Sequence, residues 1–92
     1  MSDFRIFETV QFQDDLERIA PARKEKIEQK LRGSVYPQLR AQPYFGANIK
    51  KLRDFKPEIW RYRIGLYRFF YIIEDRERTV YMVAAELRQA SY

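Results

Sequence analysis

The chain has 92 residues, a net charge of +5, 46% apolar residues, and neither cysteine nor histidine. That length closes one hydrophobic core and not two, so residues 1–92 read as a single domain. The missing thiols and imidazoles exclude disulfides, Cys–His and Ser–His nucleophilic pairs and the usual zinc ligands, which leaves Arg, Lys, Tyr and carboxylates for any chemistry.

Seven Phe, seven Tyr and one Trp supply large side chains for a core without metal or disulfide staples. The start, Met1-Ser2-Asp3-Phe4-Arg5, has no apolar run, and no stretch approaches the roughly 18 apolar residues of a membrane span. The expectation is a soluble, untargeted, cytoplasmic protein with no membrane partner.

Phe4 to Glu8 reads as a first strand, aromatic and β-branched before a polar break. Thr9 is a helix cap, with Asp14, Asp15 and Glu17 early in the helix, where negative charge suits the dipole. Phe12, Leu16 and Ile19 recur on one face. Pro21 ends this helix and starts a second, expected to run to about Leu39, with Gly33 as a weak point. Its apolar stripe is Ile27, Leu31, Val35 and Leu39, and the charged residues between them read as a solvated face.

Pro43, Gly46 and Asn48 mark a loop, after which the pattern turns to strands. Ile49 to Arg53 is a candidate; Ile59 to Gly65, Leu66 to Asp75 and Thr79 to Leu87 are three more. Gly65 calls for a tight hairpin or a bulge. The fold class is α+β, order β-α-α-β-β-β, an antiparallel sheet with a two-helix layer on one face.

Alternate side chains of a strand point to opposite faces. Trp60, Tyr62 and Ile64 therefore share one side and Arg61 and Arg63 the other. Phe69, Tyr71 and Ile73 separate from Arg68, Phe70 and Ile72, and Val80, Met82 and Ala84 from Tyr81, Val83 and Ala85. The helices need an apolar floor, which Trp60, Tyr62, Phe69, Tyr71, Val80 and Met82 provide. The other face gathers Arg61, Arg63 and Arg68.

Charge follows the same division. Residues 1–46 hold eight basic and seven acidic residues, whereas residues 47–92 hold ten and six. Such a cluster attracts polyanions or an acidic protein. A solubilising surface carries the same charge, and Glu74, Asp75 and Glu86 are available to pair with the arginines. Both readings stay open on composition alone.

Asn48-Ile49-Lys50-Lys51-Leu52, followed by Trp60-Arg61-Tyr62-Arg63-Ile64-Gly65-Leu66-Tyr67-Arg68-Phe69-Phe70-Tyr71, resembles the RelE/ParE superfamily of bacterial type II toxins. The closing Arg88-Gln89-Ala90-Ser91-Tyr92 is similar to the family's terminal R-x-x-x-Y, so the resemblance covers nearly the whole chain. It implies a toxin neutralised by a cognate acidic antitoxin, and, for RelE-type members, cleavage of mRNA on the ribosome with no metal or cofactor, using the RNA's own 2′-hydroxyl. Arg61 and Arg63 match the two basic residues before the glycine, Arg68 the arginine of the "GxYR" motif, Arg88 the basic residue near the end, and Tyr92 the terminal tyrosine, placed to stack on a base or move a proton. Lys50, Lys51 and Arg53 match backbone phosphate contacts.

The sequence departs from the RelE pattern in two places. Arg61 and Arg63 stand where RelE-type enzymes often carry lysine, and Leu87 where many carry histidine. Arginine, with a pKa above roughly 12, is a poor general base. The base would fall to Tyr92 or Lys51. The alternatives within the resemblance are a ParE-like inhibitor of DNA gyrase and an inactive relative that only binds an antitoxin.

Overall fold

The computed structural model describes residues 3–87. Strand β1 (Arg5–Glu8) leads into helix α1 (Val10–Ile19), then α2 (Lys24–Lys30), a π-helical segment (Leu31–Val35) and α3 (Tyr36–Ala41). Strands β2 (Ile49–Lys51), β3 (Trp60–Ile64), β4 (Tyr67–Glu74) and β5 (Thr79–Leu87) follow. The Ile49 candidate is thus a real, short strand, and the sheet has five strands in the order β1-β5-β4-β3-β2. The last four pair antiparallel, one strand more than the expected order β-α-α-β-β-β has after its helices, while β1 lies parallel to β5, with Ile6 opposite Val80. The sheet is therefore mixed.

Thr9 caps α1 as its chemistry predicts, accepting from the Phe12 N–H at 3.1 Å. The predicted second helix is continuous from Lys24 to Ala41 but changes pitch around Gly33. The cause is Pro37, which lacks an N–H and whose ring crowds the carbonyl four residues back, that of Gly33. Widening the turn relieves the clash, and the Tyr36 N–H reaches back five residues to the Leu31 carbonyl. The wider turn also serves the core. Residues four apart drift by ~40° per step around a regular α-helix, yet Ile27, Leu31, Val35 and Leu39 are all at most 1% exposed. The π turn realigns that stripe.

Gly33 itself faces open space, with nothing within 4 Å of where a Cβ would sit. Gly33→Ala is therefore expected to stabilise the fold by about 0.5–1 kcal/mol through helix propensity. A thermal melt should rise by several degrees; a fall would mean that the π turn itself requires glycine.

The floor is as the alternation predicts. Tyr62, Phe69, Tyr71, Val80 and Met82 are buried beneath Phe12, Leu16, Ile27 and Leu31, with Trp60 packed at the margin. The two buried tyrosines satisfy their hydroxyls, Tyr62 donating to Gln38 Oε1 at 2.9 Å and Tyr71 to the Pro43 carbonyl at 2.7 Å. One strand changes phase. Phe70 faces Ala84 and Tyr71 faces Met82, which leaves Val83 as an extra residue in β5. Ala85 rather than Ala84 therefore joins the floor, 3% exposed. The bulge also sends Glu86 to the open face.

Candidate nucleic-acid interface

The hairpin between β3 and β4 fixes the centre of the open face. Ile64 pairs with Tyr67, so the turn has two residues, and Gly65 takes φ +58° at its first position, where a II′-type hairpin places glycine. That register sets Arg63 directly opposite Arg68 and Arg61 opposite Phe70. On the outer side Lys50 of β2 faces Arg61. Lys50, Arg61, Arg63 and Arg68 therefore lie on one face of three adjacent strands, away from the helices.

Like charges placed directly across an antiparallel pair destabilise it. Arg68 has a compensating partner, Glu86 of β5, at 3.3 Å. Among the described residues Lys50, Arg61 and Arg63 make no ion pair with a carboxylate. The Nε–H groups of Arg61 and Arg68 are shielded from water and have no acceptor among the described residues. An open recess of about 650 Å³ lies beside these side chains, lined by Asn48, Lys50, Arg61, Arg63 and Gly65 among others. The planar guanidinium forks of Arg61 and Arg63, with no carboxylate partner among the described residues and next to an open recess, are suited to bidentate phosphate binding.

The other half of the same face carries an aromatic row beside the polar row of Arg5, Thr79 and Glu74. Phe7 pairs with Tyr81, and Tyr81 with Ile72, in one row across β1, β5 and β4. The Phe7 and Tyr81 rings meet edge-on at 5.6 Å, and Phe7 is 56% exposed. Tyr81 donates its hydroxyl to Glu77 Oε1 at 2.6 Å, and that bond, with some burial, raises its pKa. It is no proton acceptor near neutrality. The sheet face is thus basic at the β2–β3 side and aromatic at the β1–β5 side.

Lys51 is set apart from this group. It faces Trp60 across the β2–β3 pair, on the helix side of the sheet, bonded to Glu58 Oε2 at 3.2 Å and lying 5.9 Å over the Trp60 ring. Arg53 lies exposed in the loop after β2. Arg88 and Tyr92 are outside the described residues. Among the described residues no cluster of carboxylates could hold a metal ion, and no helix is long and apolar enough to cross a membrane.

A protein-family model for the ParE toxin of type II toxin–antitoxin systems matches residues 6–88. The chain belongs to that family. It is a toxin-type chain of the RelE/ParE superfamily, and its fold agrees. The toxin–antitoxin complex RelBE2 from Mycobacterium tuberculosis contains a chain that superposes with a TM-score of 0.72 at 22% identity, covering 94% of this chain and 99% of that one. The archaeal RelE–RelB complex from Pyrococcus horikoshii gives 0.68 at 16% identity, covering 97% and 99%. The isolated E. coli RelE toxin gives 0.64 at 18%, covering 96% and 87%. A search of curated proteins gives no match.

Proposed function

We propose that this toxin arrests growth by gripping mRNA on the ribosome with its open sheet face and cutting it with the RNA's own 2′-hydroxyl. The observation that carries the reading is the placement of Lys50, Arg61, Arg63 and Arg68 on one face, with Glu86 as the one ion-pair partner recorded for them among the described residues. In this reaction the 2′-oxygen attacks the adjacent phosphorus, the 5′-oxygen of the next nucleotide leaves, and a 2′,3′-cyclic phosphate forms. The substrate supplies the nucleophile, so the protein must orient the phosphate and stabilise the charge that grows on its non-bridging oxygens. Arg61, Arg63 and Arg68 take that role, joined by Arg88 from the end of the chain.

Two protons must also move. Lys51 faces away from the patch and is held by Glu58, which leaves Tyr92 as the group of choice for proton transfer or base stacking. The partner is a cognate antitoxin whose acidic, amphipathic segment covers both halves of the face, carboxylates over the arginines and apolar side chains over Phe7 and Tyr81. Such a toxin acts in the cytoplasm, where its substrate is.

A second reading, inhibition of DNA gyrase, is favoured by one feature: the basic face has no histidine, and the carboxylate beside its arginines, Glu86, is taken up by Arg68. Primer extension on mRNA translated by purified ribosomes separates the two. Added protein is expected to yield new, translation-dependent 5′-ends. Intact mRNA together with inhibited supercoiling by purified gyrase would replace the first reading with the second.

A further inference from the structure

Between β2 and β3 the chain makes an excursion whose base is closed by the Leu52 N–H donating to the Ile59 carbonyl at 2.9 Å. Residues 53–58 beyond that bond are all exposed. The turn is tightened at Asp54, which takes the left-handed φ of +64°, a conformation that Asp tolerates better than most residues. Phe55 follows it, 53% exposed. Among the described residues the ring has no aromatic neighbour and no place in the core.

An isolated surface Phe needs no explanation by itself. This one sits between Arg53 and Lys56, and neither has an ion-pair partner among the described residues. Of the loop's two acids, Glu58 is already taken by Lys51. A recess of about 490 Å³ is bounded by Lys51, Arg53, Phe55 and Lys56 together with the acids Asp54 and Glu58. The loop continues directly from β2, whose Lys50 belongs to the basic face.

We infer that this loop is a second nucleic-acid contact, in which Phe55 stacks on an unpaired base of single-stranded RNA while Arg53 and Lys56 hold the flanking phosphates. An aromatic ring beside free cations is the combination that binds single strands without sequence preference. The inference rests on the RNA reading above and adds Phe55 and Lys56 to it.

The test is fluorescence anisotropy with a labelled 12-nucleotide single-stranded RNA and the full chain, alongside a version of the oligonucleotide carrying 2-aminopurine. Phe55→Ala should weaken binding by roughly 5- to 100-fold, the worth of one base–aromatic stack, and abolish the quenching of 2-aminopurine. Its salt dependence should stay as in the parent, since no charge is lost. Phe55→Trp should retain affinity. Lys56→Ala should instead lower the slope of log K against log salt by about 1. Phe55 lies outside the core, so unchanged melting temperatures are expected for all three.

Failure of the inference and failure of the reading give different results. If Arg68→Ala abolishes RNA binding but Phe55→Ala leaves affinity and quenching untouched, the loop contact is wrong and the basic face stands. If the parent binds no RNA at all, both fall. Retained RNA binding by Phe55→Ala, with weakened capture of a cognate antitoxin, would reassign the loop to a protein.

Discussion

Arg68→Ala is expected to abolish growth arrest on induced expression while leaving the melting temperature within a few degrees of the parent. The argument rests on position. Arg68 lies on β4, the central strand of the sheet, directly across from Arg63, with Glu86 on its other side. Its removal relieves repulsion with Arg63, and Glu86, half exposed, returns to water. The fold therefore loses little. Function loses a fork that a point charge does not replace, so Arg68→Lys should rescue weakly. If Arg68 stabilises charge that develops on the phosphate, its loss should slow cleavage on the ribosome by roughly 10²- to 10³-fold, the usual cost of one such donor. Glu86→Gln should act in the opposite direction. It removes the internal carboxylate that competes with phosphate for Arg68, so affinity for RNA should rise. Full toxicity of both Arg68→Ala and Arg88→Ala would show that the arginine face is a solvated surface and nothing more.

The residues that carry this argument were legible because strand alternation is a local property. Trp60, Tyr62 and Arg61, Arg63 declare their faces by spacing alone, and the burial of Tyr62 and Tyr71 follows from it. Periodicity fails where the count changes. Val83 is an extra residue opposite β4, so alternation read straight through β5 exchanges Ala84 for Ala85. Nothing in Val83-Ala84-Ala85 announces a bulge, since it is set by what β4 and α1 present to that strand. Lys50 and Lys51 show a related limit. Alternation separates them onto opposite faces, but a motif match treats them as one basic pair, and the structure commits Lys51 to Glu58 and Trp60. The parallel pairing of β1 with β5 depends on where the helical layer returns the chain, which no residue of Arg5–Glu8 encodes.

Asp15 gives the clearest case of a role hidden by a plausible local reading, and the second large effect. An acidic residue early in a helix suits the dipole, yet Asp15 lies three residues after Phe12 and four before Ile19, inside the apolar stripe. It is 3% exposed. The reason lies in β5, which outruns its neighbour: β1 pairs with it as far as Met82, where Thr9 N–H and Oγ1 both reach the carbonyl, at 3.0 and 2.9 Å. Beyond the bulge the Ala85 N–H has no strand to meet. Asp15 Oδ2 accepts it at 2.9 Å, while Oδ1 accepts from Gln11 at 2.7 Å and Arg18 at 2.6 Å. Helix α1 thus completes the sheet edge where β1 ends, and fixes the stretch of β5 that presents Glu86 and leads to Arg88.

Asp15→Ala removes those acceptors and leaves a buried N–H unsatisfied, which should cost about 2–3 kcal/mol and lower the melting temperature by about 10–20 °C. Asp15→Asn keeps an acceptor for Ala85 without the charge and should lose less. The sign of the pH dependence follows from the same geometry. Burial pushes the Asp15 pKa up, but the bonds from Ala85, Arg18 and Gln11 outweigh it and hold the carboxyl below its ordinary 3.8. A carboxylate with a depressed folded pKa contributes stability that is present above the unfolded value and lost as pH falls through the folded one. The parent should therefore weaken below about pH 4, and Asp15→Asn should flatten that acid limb. Hydrogen exchange locates the effect: the Ala85 amide should lose protection in Asp15→Ala well before the amides of Phe69 or Tyr71. Equal loss at all three would mean that Asp15 supports the core as a whole and does not hold the end of β5.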